Sequence, residues 1–275
     1  MRTRPLVVLC LALALLGPVA GSAAASAGGP DGSAGQTPTR PVEYSVLQLN
    51  LCLSGLAGCY AGTEYPAGVD EAVEVVREHR PRSVTVNEAC SGDVERLAEQ
   101  TGMDHRFATV LYRGSPLPCV APGGRGVFGN AVLTRARIAT SQDEAFRAQS
   151  GAEERRWLCV RTTDGVRVCT THLSVAGSAE QAATNQAQCE ELSDLLAQGS
   201  TREATVLGGD VNRIGTCAPL GFWTLRDDQA AQAPGIQHVY LSRDFLLRPR
   251  ERVLPLTYTD HDGLLVSARL RPTRS

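Results

Sequence analysis

Short, β-rich apolar runs interrupted by helical patterns constrain the fold of this chain more than any other feature. The stretch "GVDEAVEVVREHRP" (68–81) has apolar residues at helical spacing, and "RRWLCVRTTDGVRVCTTHL" (155–173) has the pattern of a β-hairpin. Because helices separate the early strands and later strands pair as a hairpin, we predict an α/β sandwich with mixed sheets. Strands are expected at 44–52, 83–88, 107–113, 127–135, 155–173, 204–212, 238–242 and 263–270, and helices at 68–81, 91–101 and 178–198.

The start of the chain has the features of an export signal. Arg2 and Arg4 precede an apolar run from Leu6 to Leu16, and small residues follow up to Ala27. This order is typical of a secretory signal peptide with an A-x-A cleavage site, and the run is too short to span a bilayer. We expect a secreted, extracellular monomer without stable membrane insertion. Its segments would be a signal peptide (1–27), a disordered leader (28–40) and one domain (41–275).

The cysteines fit an oxidising compartment. Nine are present, and removing Cys10 with the signal leaves eight, an even number that predicts four disulfides. Cys159 and Cys169 flank "TDG" (163–165), and a three-residue hairpin loop ending in Gly would place them opposite each other. Metal binding by cysteines is disfavoured because no CxxC pair occurs. The remaining pairs are assigned to neighbours along the chain: Cys52 with Cys59, Cys90 with Cys119, and Cys189 with Cys217.

The charge pattern does not favour non-specific binding to nucleic acid. The formal net charge is −2, every Lys or Arg position is arginine, and no basic block appears. Arg113, Arg125 and Arg135, near the Gly/Pro-rich stretch 114–126, are candidates for contacts with a polyanionic backbone, or else ordinary surface residues.

Polar residues stand where the predicted strands end, and such residues can converge in one cleft. Singly, each has a structural interpretation, for example a turn at "GGD"; their joint occurrence favours a site. Carboxylates can hold a hard ion such as Mg²⁺, and histidines can bind phosphate or move protons near neutral pH. Phosphoester hydrolysis requires these functions. The set is Asn50, Glu88, His172, Asp210, Asn212, Asp260 and His261.

The motifs "LQLNLC", "VNEAC", "GNAVLTR", "TTHLS", "GGDVN" and "TDHDGLLV" occur in this order. In them the chain resembles the endonuclease/exonuclease/phosphatase superfamily, the fold of pancreatic deoxyribonuclease and the apurinic endonucleases. The resemblance runs from about residue 44 to 270. It implies a four-layer α/β sandwich with two central mixed β-sheets flanked by helices, and a metal-dependent phosphoesterase.

The resemblance also implies roles at the matching positions. Glu88 would be the main Mg²⁺ ligand with Asn50 beside it, and Asp260 a further carboxylate on the metal side; Mn²⁺ or Ca²⁺ are alternatives. Asp210 would orient or deprotonate the attacking water, and Asn212 would hold this water or a phosphate oxygen. His172 would contact the phosphate and assist the leaving group. His261 would bind phosphate or act as general base. The glycines before Asp210 would permit tight backbone packing.

One position departs from the family pattern. The family usually has an Asp in the strand before the terminal "DH", where it orients the last histidine, and Gln237 stands there in this chain. A Gln can accept a hydrogen bond from an imidazole N–H but cannot stabilise imidazolium by charge. We therefore predict weakened or differently organised chemistry at His261.

The most favoured function is a secreted, Mg²⁺-dependent phosphoester hydrolase of the nuclease type, acting on a phosphoester substrate such as nucleic acid. One alternative is a sphingomyelinase-like or inositol-phosphate-type phosphoesterase. Another is a non-catalytic binding module on the same fold, which only Gln237 supports. Loops rather than core motifs set substrate choice in such a fold, so the sequence leaves the substrate open.

Overall fold

The computed structural model describes residues 40–56 and 62–271, and within them the chain forms two six-stranded sheets, a two-stranded ribbon and three helices. The helices are α1 (Ala67–His79), α2 (Ser91–Thr101) and α3 (Ala179–Ser200). The strands are β1 (Val42–Asn50), β2 (Ser83–Cys90), β3 (Asp104–Thr109), β4 (Leu111–Tyr112), β5 (Ser115–Pro116), β6 (Phe128–Thr134), β7 (Ile138–Ala145), β8 (Arg156–Thr162), β9 (Val166–His172), β10 (Ala204–Asp210), β11 (Trp223–Arg226), β12 (Gln237–Leu241), β13 (Phe245–Leu254) and β14 (Gly263–Leu270).

Both large sheets are mixed. The first has the strand order β13-β14-β1-β2-β6-β3, and the second has the order β11-β12-β10-β9-β8-β7. Strands β1 and β2 pair in parallel, as do β9 and β10, whereas the other ladders are antiparallel. The predicted fold class is therefore confirmed.

Three buried apolar clusters show how the layers pack. The central cluster combines residues of both sheets, including Val46 and Val206. A second joins α1 and α2 to the first sheet, and a third joins α3 to the second sheet, with Leu192 beside Leu207. Helices thus cover the outer side of each sheet, which gives four layers.

The three helices lie within about two residues of the ranges predicted from the sequence. The apolar residues at helical spacing in α1, namely Val69, Ala72, Val73 and Val76, are all buried. Helix α3 begins after Ser178, whose side chain accepts a hydrogen bond from Gln181 N at 3.2 Å, so this half of an N-terminal capping box is present. None of the helices in the described part of the chain is long and apolar enough to cross a bilayer.

Three of the four predicted disulfides are present: Cys90–Cys119, Cys159–Cys169 and Cys189–Cys217. The hairpin argument for the second pair is confirmed, since Cys159 and Cys169 are cross-strand neighbours and the loop ends in Gly165 with φ of +81°. The fourth pair involves Cys59, which lies outside the described residues, as do the predicted signal peptide and the leader up to residue 39.

Two predictions were wrong. The single strand expected at 107–113 is divided, because β3 ends at Thr109 and the chain continues into the β4–β5 ribbon. Arg125 is not a surface residue. It is 7% exposed and forms an ion pair with Asp93, while its guanidinium also donates to Leu53 O and Val120 O. Arg125 therefore anchors the Gly/Pro-rich loop rather than contacting a ligand.

Candidate active site

Two pairs of parallel strands end at the candidate active site. In the first sheet Asn50 lies beside Asn87, and in the second Asp210 lies beside His172. The carboxyl ends of such strands are a frequent location for ligand sites in α/β proteins. Three of the predicted site residues, Asn50, His172 and Asp210, therefore reach this edge from the ends of strands.

An irregularity in strand β2 brings Glu88 to the cleft. The ladder between β2 and β6 shifts register between Val86 and Ala89, and Glu88 has a φ of 54°, in the left-handed region. The residues on either side, Asn87 and Ala89, are fully buried. A bulge of this kind re-aims one side chain without ending the strand.

Asn50 links the acidic groups of the two sheets. Its Nδ2 lies 3.0 Å from Glu88 Oε1 and 3.0 Å from Asp210 Oδ2, while its Oδ1 accepts from Cys52 N at 3.3 Å. As placed, Asn50 presents its amide hydrogens rather than its oxygen to both carboxylates. Its predicted role as a metal ligand stays a prediction.

The environment of Glu88 opposes its negative charge. The pKa of this carboxyl is raised to about 7, chiefly by burial; the hydrogen bond from Asn50 opposes this rise, and the nearby carboxylates of Glu153 and Asp210 add to it. Such a group is stabilised by a bound cation or by a proton.

His172 stands between two carboxylates. Its Nε2 lies 3.7 Å from Glu88 Oε1, and its Nδ1 lies 3.8 Å from Glu153 Oε1. Burial, followed by the charge of Arg155 and the nearby imidazole of His261, holds the pKa of His172 well below its usual range, so the His172 imidazole is neutral.

Sequence reasoning missed Glu153 and its partner Arg155. Arg155 Nη1 lies 2.8 Å from Glu153 Oε1, and the arginine is 8% exposed. Both precede strand β8: Glu153 lies ahead of the predicted hairpin and Arg155 is its first residue, and no motif marked either of them. An acidic residue ahead of a hairpin is too common a feature to have singled out Glu153.

Asp210 is 1% exposed, and both its carboxylate and its backbone N–H are hydrogen-bonded. Its Oδ2 accepts hydrogen bonds from Asn50 Nδ2 and from Gln237 Nε2 at 2.7 Å, and its Oδ1 accepts from Asn212 N at 3.0 Å. Its own N–H donates to Asn87 Oδ1 at 2.8 Å. The position of the carboxylate is therefore fixed by donors from both sheets.

The glycines before Asp210 allow the close approach that was predicted. A Cβ at Gly208 would collide with the Thr85 hydroxyl of the first sheet, and one at Gly209 would collide with the Thr171 carbonyl of strand β9. Asn212 follows in the left-handed region, with φ of 50°. Its Nδ2 donates to Leu173 O at 2.9 Å, so the side chain of Asn212 is hydrogen-bonded to the backbone of the residue that follows His172.

The loop that carries Asp260 and His261 is fixed by hydrogen bonds at the three residues before them. The Glu71 carboxylate of α1 accepts from the backbone N–H groups of Thr257 and Tyr258, and the Thr259 hydroxyl donates to Asn50 O at 2.8 Å. His261 Nε2 then lies 3.6 Å from Asp210 Oδ2 and 3.8 Å from Asp260 Oδ1.

Gln237 and His261 are hydrogen-bonded, with Gln237 as the donor rather than in the accepting role that its amide oxygen could have taken. The amide nitrogen of Gln237, which can only donate, lies 3.3 Å from His261 Nδ1. The amide oxygen instead accepts from Gln48 Nε2 at 3.0 Å.

The predicted residues converge. Successive contacts connect Glu88 to Asn50, Asn50 to Asp210, and Asp210 to His261, with no step longer than 3.6 Å. His172 contacts Glu88 on one side, and Asp260 contacts His261 on the other. Groups more than 200 positions apart along the chain thus form one acidic cleft.

The donor set fits a hard divalent cation in an open site. Within residues 40–56 and 62–271, no group of three or more His, Cys, Asp or Glu side chains is arranged to hold a metal ion by itself. Mg²⁺ does not require one, since it is typically held by one or two carboxylates with waters and substrate phosphate. Two observations favour a cation here: Glu88 is buried beside other carboxylates, and Asp260 Oδ1 is buried with no hydrogen-bond partner in the described part of the chain.

The fold and the cleft define a two-sheet α/β protein with acidic and imidazole groups gathered at the strand ends. The family model for the Endonuclease/Exonuclease/phosphatase family matches residues 52–261, and the chain belongs to this family. Its members hydrolyse phosphoester bonds and typically use divalent metal ions. The protein is accordingly a phosphoester hydrolase.

Solved structures show the same fold at low sequence identity. An endonuclease/exonuclease/phosphatase from Beutenbergia cavernae DSM 12333 is 20% identical (TM-score 0.61), and the match covers 83% of this chain and 72% of that one. The human Nocturnin catalytic domain with bound sulfate anion is 14% identical (TM-score 0.61; 85% and 96%). TDP2 from Caenorhabditis elegans is 13% identical (TM-score 0.57; 83% and 74%). No curated protein matches the chain.

Proposed function

We propose that the protein is a secreted, Mg²⁺-dependent phosphodiesterase that acts on nucleic acid. The observation that carries the proposal is the unbroken contact path from Glu88 through Asn50 and Asp210 to His261. It places carboxylates that can hold a cation beside groups that can orient water and bind phosphate.

The residues have distinct parts in this proposal. Glu88 and Asp260 would hold the cation, which when bound supplies positive charge against the phosphate. Asp210, fixed by donors from both sheets, orients the attacking water and accepts its proton. Neutral His172 faces the phosphate together with His261, and their N–H groups stabilise the charge that develops on its oxygens. Asn212 holds the water or a phosphate oxygen.

A rim hairpin supports nucleic acid as the substrate. Tyr112 is 39% exposed, and the guanidinium of Arg113 lies 5.7 Å from the centre of its ring. The hairpin is bonded to the segment that carries Glu153, because Arg113 N donates to Ala152 O at 2.7 Å and Tyr112 forms a bridge with Glu153. An aromatic ring and a guanidinium beside the cleft suit base stacking and phosphate contact.

A second candidate is a lipid-headgroup phosphodiesterase of the sphingomyelinase-like type. Two exposed apolar side chains closely follow site residues: Val175 comes three positions after His172 and is 41% exposed, and Ile214 comes two positions after Asn212 and is 64% exposed. Exposed aliphatic groups beside a cleft favour contact with a lipid surface.

Export to an oxidising compartment is part of the proposal. Three disulfides among the described residues support it, since such bonds are rare in the reducing cytosol of mesophiles. Expression of the full chain in a secreting host should yield a protein in the medium that begins at Gly28. Full-length protein retained in the cells would contradict the proposal.

The activity is tested with the purified mature protein against plasmid DNA, single-stranded DNA, RNA, sphingomyelin vesicles, inositol phosphates and bis(p-nitrophenyl) phosphate. Each assay is run with EDTA and with Mg²⁺, Mn²⁺ or Ca²⁺. We expect Mg²⁺-dependent cleavage of a nucleic acid that Glu88→Gln abolishes and Glu99→Gln preserves, since Glu99 is an exposed carboxylate on α2. Cleavage of sphingomyelin alone would favour the second candidate. Hydrolysis unaffected by EDTA would refute the metal dependence.

A further inference from the structure

Gln237 occupies the centre of a buried relay of side-chain amides. It is fully buried, and in the ladder of β10 and β12 it lies opposite Asp210. Its Nε2 is 2.7 Å from Asp210 Oδ2 and 3.3 Å from His261 Nδ1, and its Oε1 is 3.0 Å from Gln48 Nε2. Which end of the amide faces His261 decides what the imidazole can do.

The direction of this relay is fixed by a backbone donor. Asp210 N–H donates to Asn87 at 2.8 Å, so the facing atom of Asn87 must be its oxygen. That oxygen lies 2.8 Å from Gln48, which must therefore present its nitrogen. The oxygen end of the Gln48 amide has a matching donor, the Thr85 hydroxyl, at 2.6 Å.

The same logic continues to Gln237. Because Gln48 presents nitrogen, Gln237 must present its oxygen to Gln48 and its nitrogen to the other side. The other side is the Asp210 carboxylate, which can only accept, so the assignment agrees at both ends of the relay. The second hydrogen of this nitrogen is directed at His261 Nδ1.

We propose that Gln237 is a positioning residue that holds His261 in the Nε2–H tautomer. Its amide hydrogen requires a lone pair on Nδ1, so the imidazole hydrogen lies on Nε2, the atom nearest Asp210 and Asp260. The catalytic consequence of this tautomer rests on the proposed function: His261 would act on the phosphate as a hydrogen-bond donor. The proton of the attacking water then goes to Asp210, since His261 Nε2 has no free lone pair.

The activity of His261 variants follows from this assignment. His261→Gln keeps a side-chain N–H, so its kcat should fall by less than about 10-fold, whereas His261→Ala should lose about 10²–10³-fold, the typical cost of removing a donor to a developing oxyanion. Equal losses in both variants would contradict a donor role.

The tautomer itself is measured by long-range ¹H–¹⁵N correlation spectra of the histidine side chains at one fixed pH. The chain has five histidines, which are assigned by single replacements. We expect the pattern of an Nε2–H tautomer for His261. His238 provides a reference in the same spectrum, since its Nε2 lies 2.9 Å from Gly235 O and must carry the hydrogen.

Gln237→Leu, which removes the donor, should give a mixture of His261 tautomers, and the isosteric Gln237→Glu should shift the hydrogen to Nδ1. An Nδ1–H pattern or an imidazolium in the wild-type protein would overturn the proposal, as would a signature that neither variant changes. Because the spectra require no substrate, a chain that cleaves no phosphoester but shows these patterns would refute the proposed function and leave the positioning role intact.

Discussion

Asp210 is the residue on which the proposed chemistry depends most directly. Asn at this position keeps the shape of the side chain and an oxygen for the Asn212 N–H bond, but it has neither charge nor basicity. We expect Asp210→Asn to lower kcat by about 10²–10⁴-fold, the usual contribution of a general base. Single-turnover cleavage rates check this.

The matched control for this substitution is Asp194→Asn, at an exposed position of α3. It should retain wild-type kcat and a wild-type melting temperature. If both Asp210→Asn and Asp194→Asn retained wild-type kcat, a group other than Asp210 would have to accept the proton of the water.

His238 is a buried histidine that should make the fold sensitive to acid. Its Nε2 faces Gly235 O, and its Nδ1 lies 2.6 Å from the Tyr240 hydroxyl. Burial lowers the pKa of His238 from 6.5 to about 4; the Gly235 carbonyl and Asp228 oppose this shift, and Arg226 adds to it. Because the unfolded chain binds the proton more readily, the stability conferred by neutral His238 is complete above pH 6.5 and is lost as the pH falls through 4.

The His238→Gln variant isolates this effect. Between pH 6.5 and 4 the wild-type protein should lose on the order of 3 kcal/mol more unfolding free energy than the variant. Urea unfolding across this range measures the difference. His105→Gln, at a half-buried histidine of β3, should follow the wild-type curve. Parallel curves for the wild type and His238→Gln would contradict this prediction, because they would show that His238 binds its proton equally well in the folded and unfolded states.

Strand β10 is the element at which the two sheets pack most closely beside the site. Gly208 faces the Thr85 hydroxyl, and that hydroxyl donates to Gln48 Oε1 at 2.6 Å. We expect Gly208→Ala to cost about 1–3 kcal/mol of stability, because an added methyl group forces the sheets apart. Thermal unfolding checks this. Gly123→Ala, where a Cβ meets open space, should change stability little, and an equally small effect at Gly208 would mean that the sheets can yield there.

Elements with a clear apolar period could be predicted from the sequence, and those without one could not. Strand β14 begins and ends where predicted, at Gly263 and Leu270. Strand β7 was missed because it is an edge strand in which only Ile138 is buried. Strand β13 was missed because arginines and Pro249 interrupt its apolar pattern.

The same limit applied to the site. Strand-end positions identified Asn50, His172 and Asp210, because the end of a strand can be read from composition. The bulge that turns Glu88 into the cleft depends on its pairing with β6, and the role of Glu153 depends on its proximity to His172. Such properties arise from contacts between distant segments, which a single sequence does not display.

At the scale of the whole molecule, the candidate active site is a junction between the two sheets. Asn87 of the first sheet donates to Thr170 of the second at 3.3 Å, Gln48 donates to Gln237, and Asn50 donates to Asp210. Burial first, and the nearby carboxylates of Glu153 and Asp210 after it, raise the pKa of Glu88, so the carboxylates at this junction are desolvated and also repel one another. A cation bound there would relieve the repulsion and hold the two halves of the sandwich together.

Mg²⁺ should therefore stabilise the whole fold by mass action. A ligand that binds only the folded state at 100 times its Kd contributes about 2.7 kcal/mol, which for a domain of this size raises Tm by roughly 5–10 °C. We expect this increase for the wild type and for Glu99→Gln when EDTA is replaced by saturating Mg²⁺, and no increase for Glu88→Gln. Calorimetry at constant ionic strength measures it without any substrate. An equal increase in all three proteins would place the stabilising ion away from Glu88, and no increase in any would show that the cleft does not hold Mg²⁺ without phosphate.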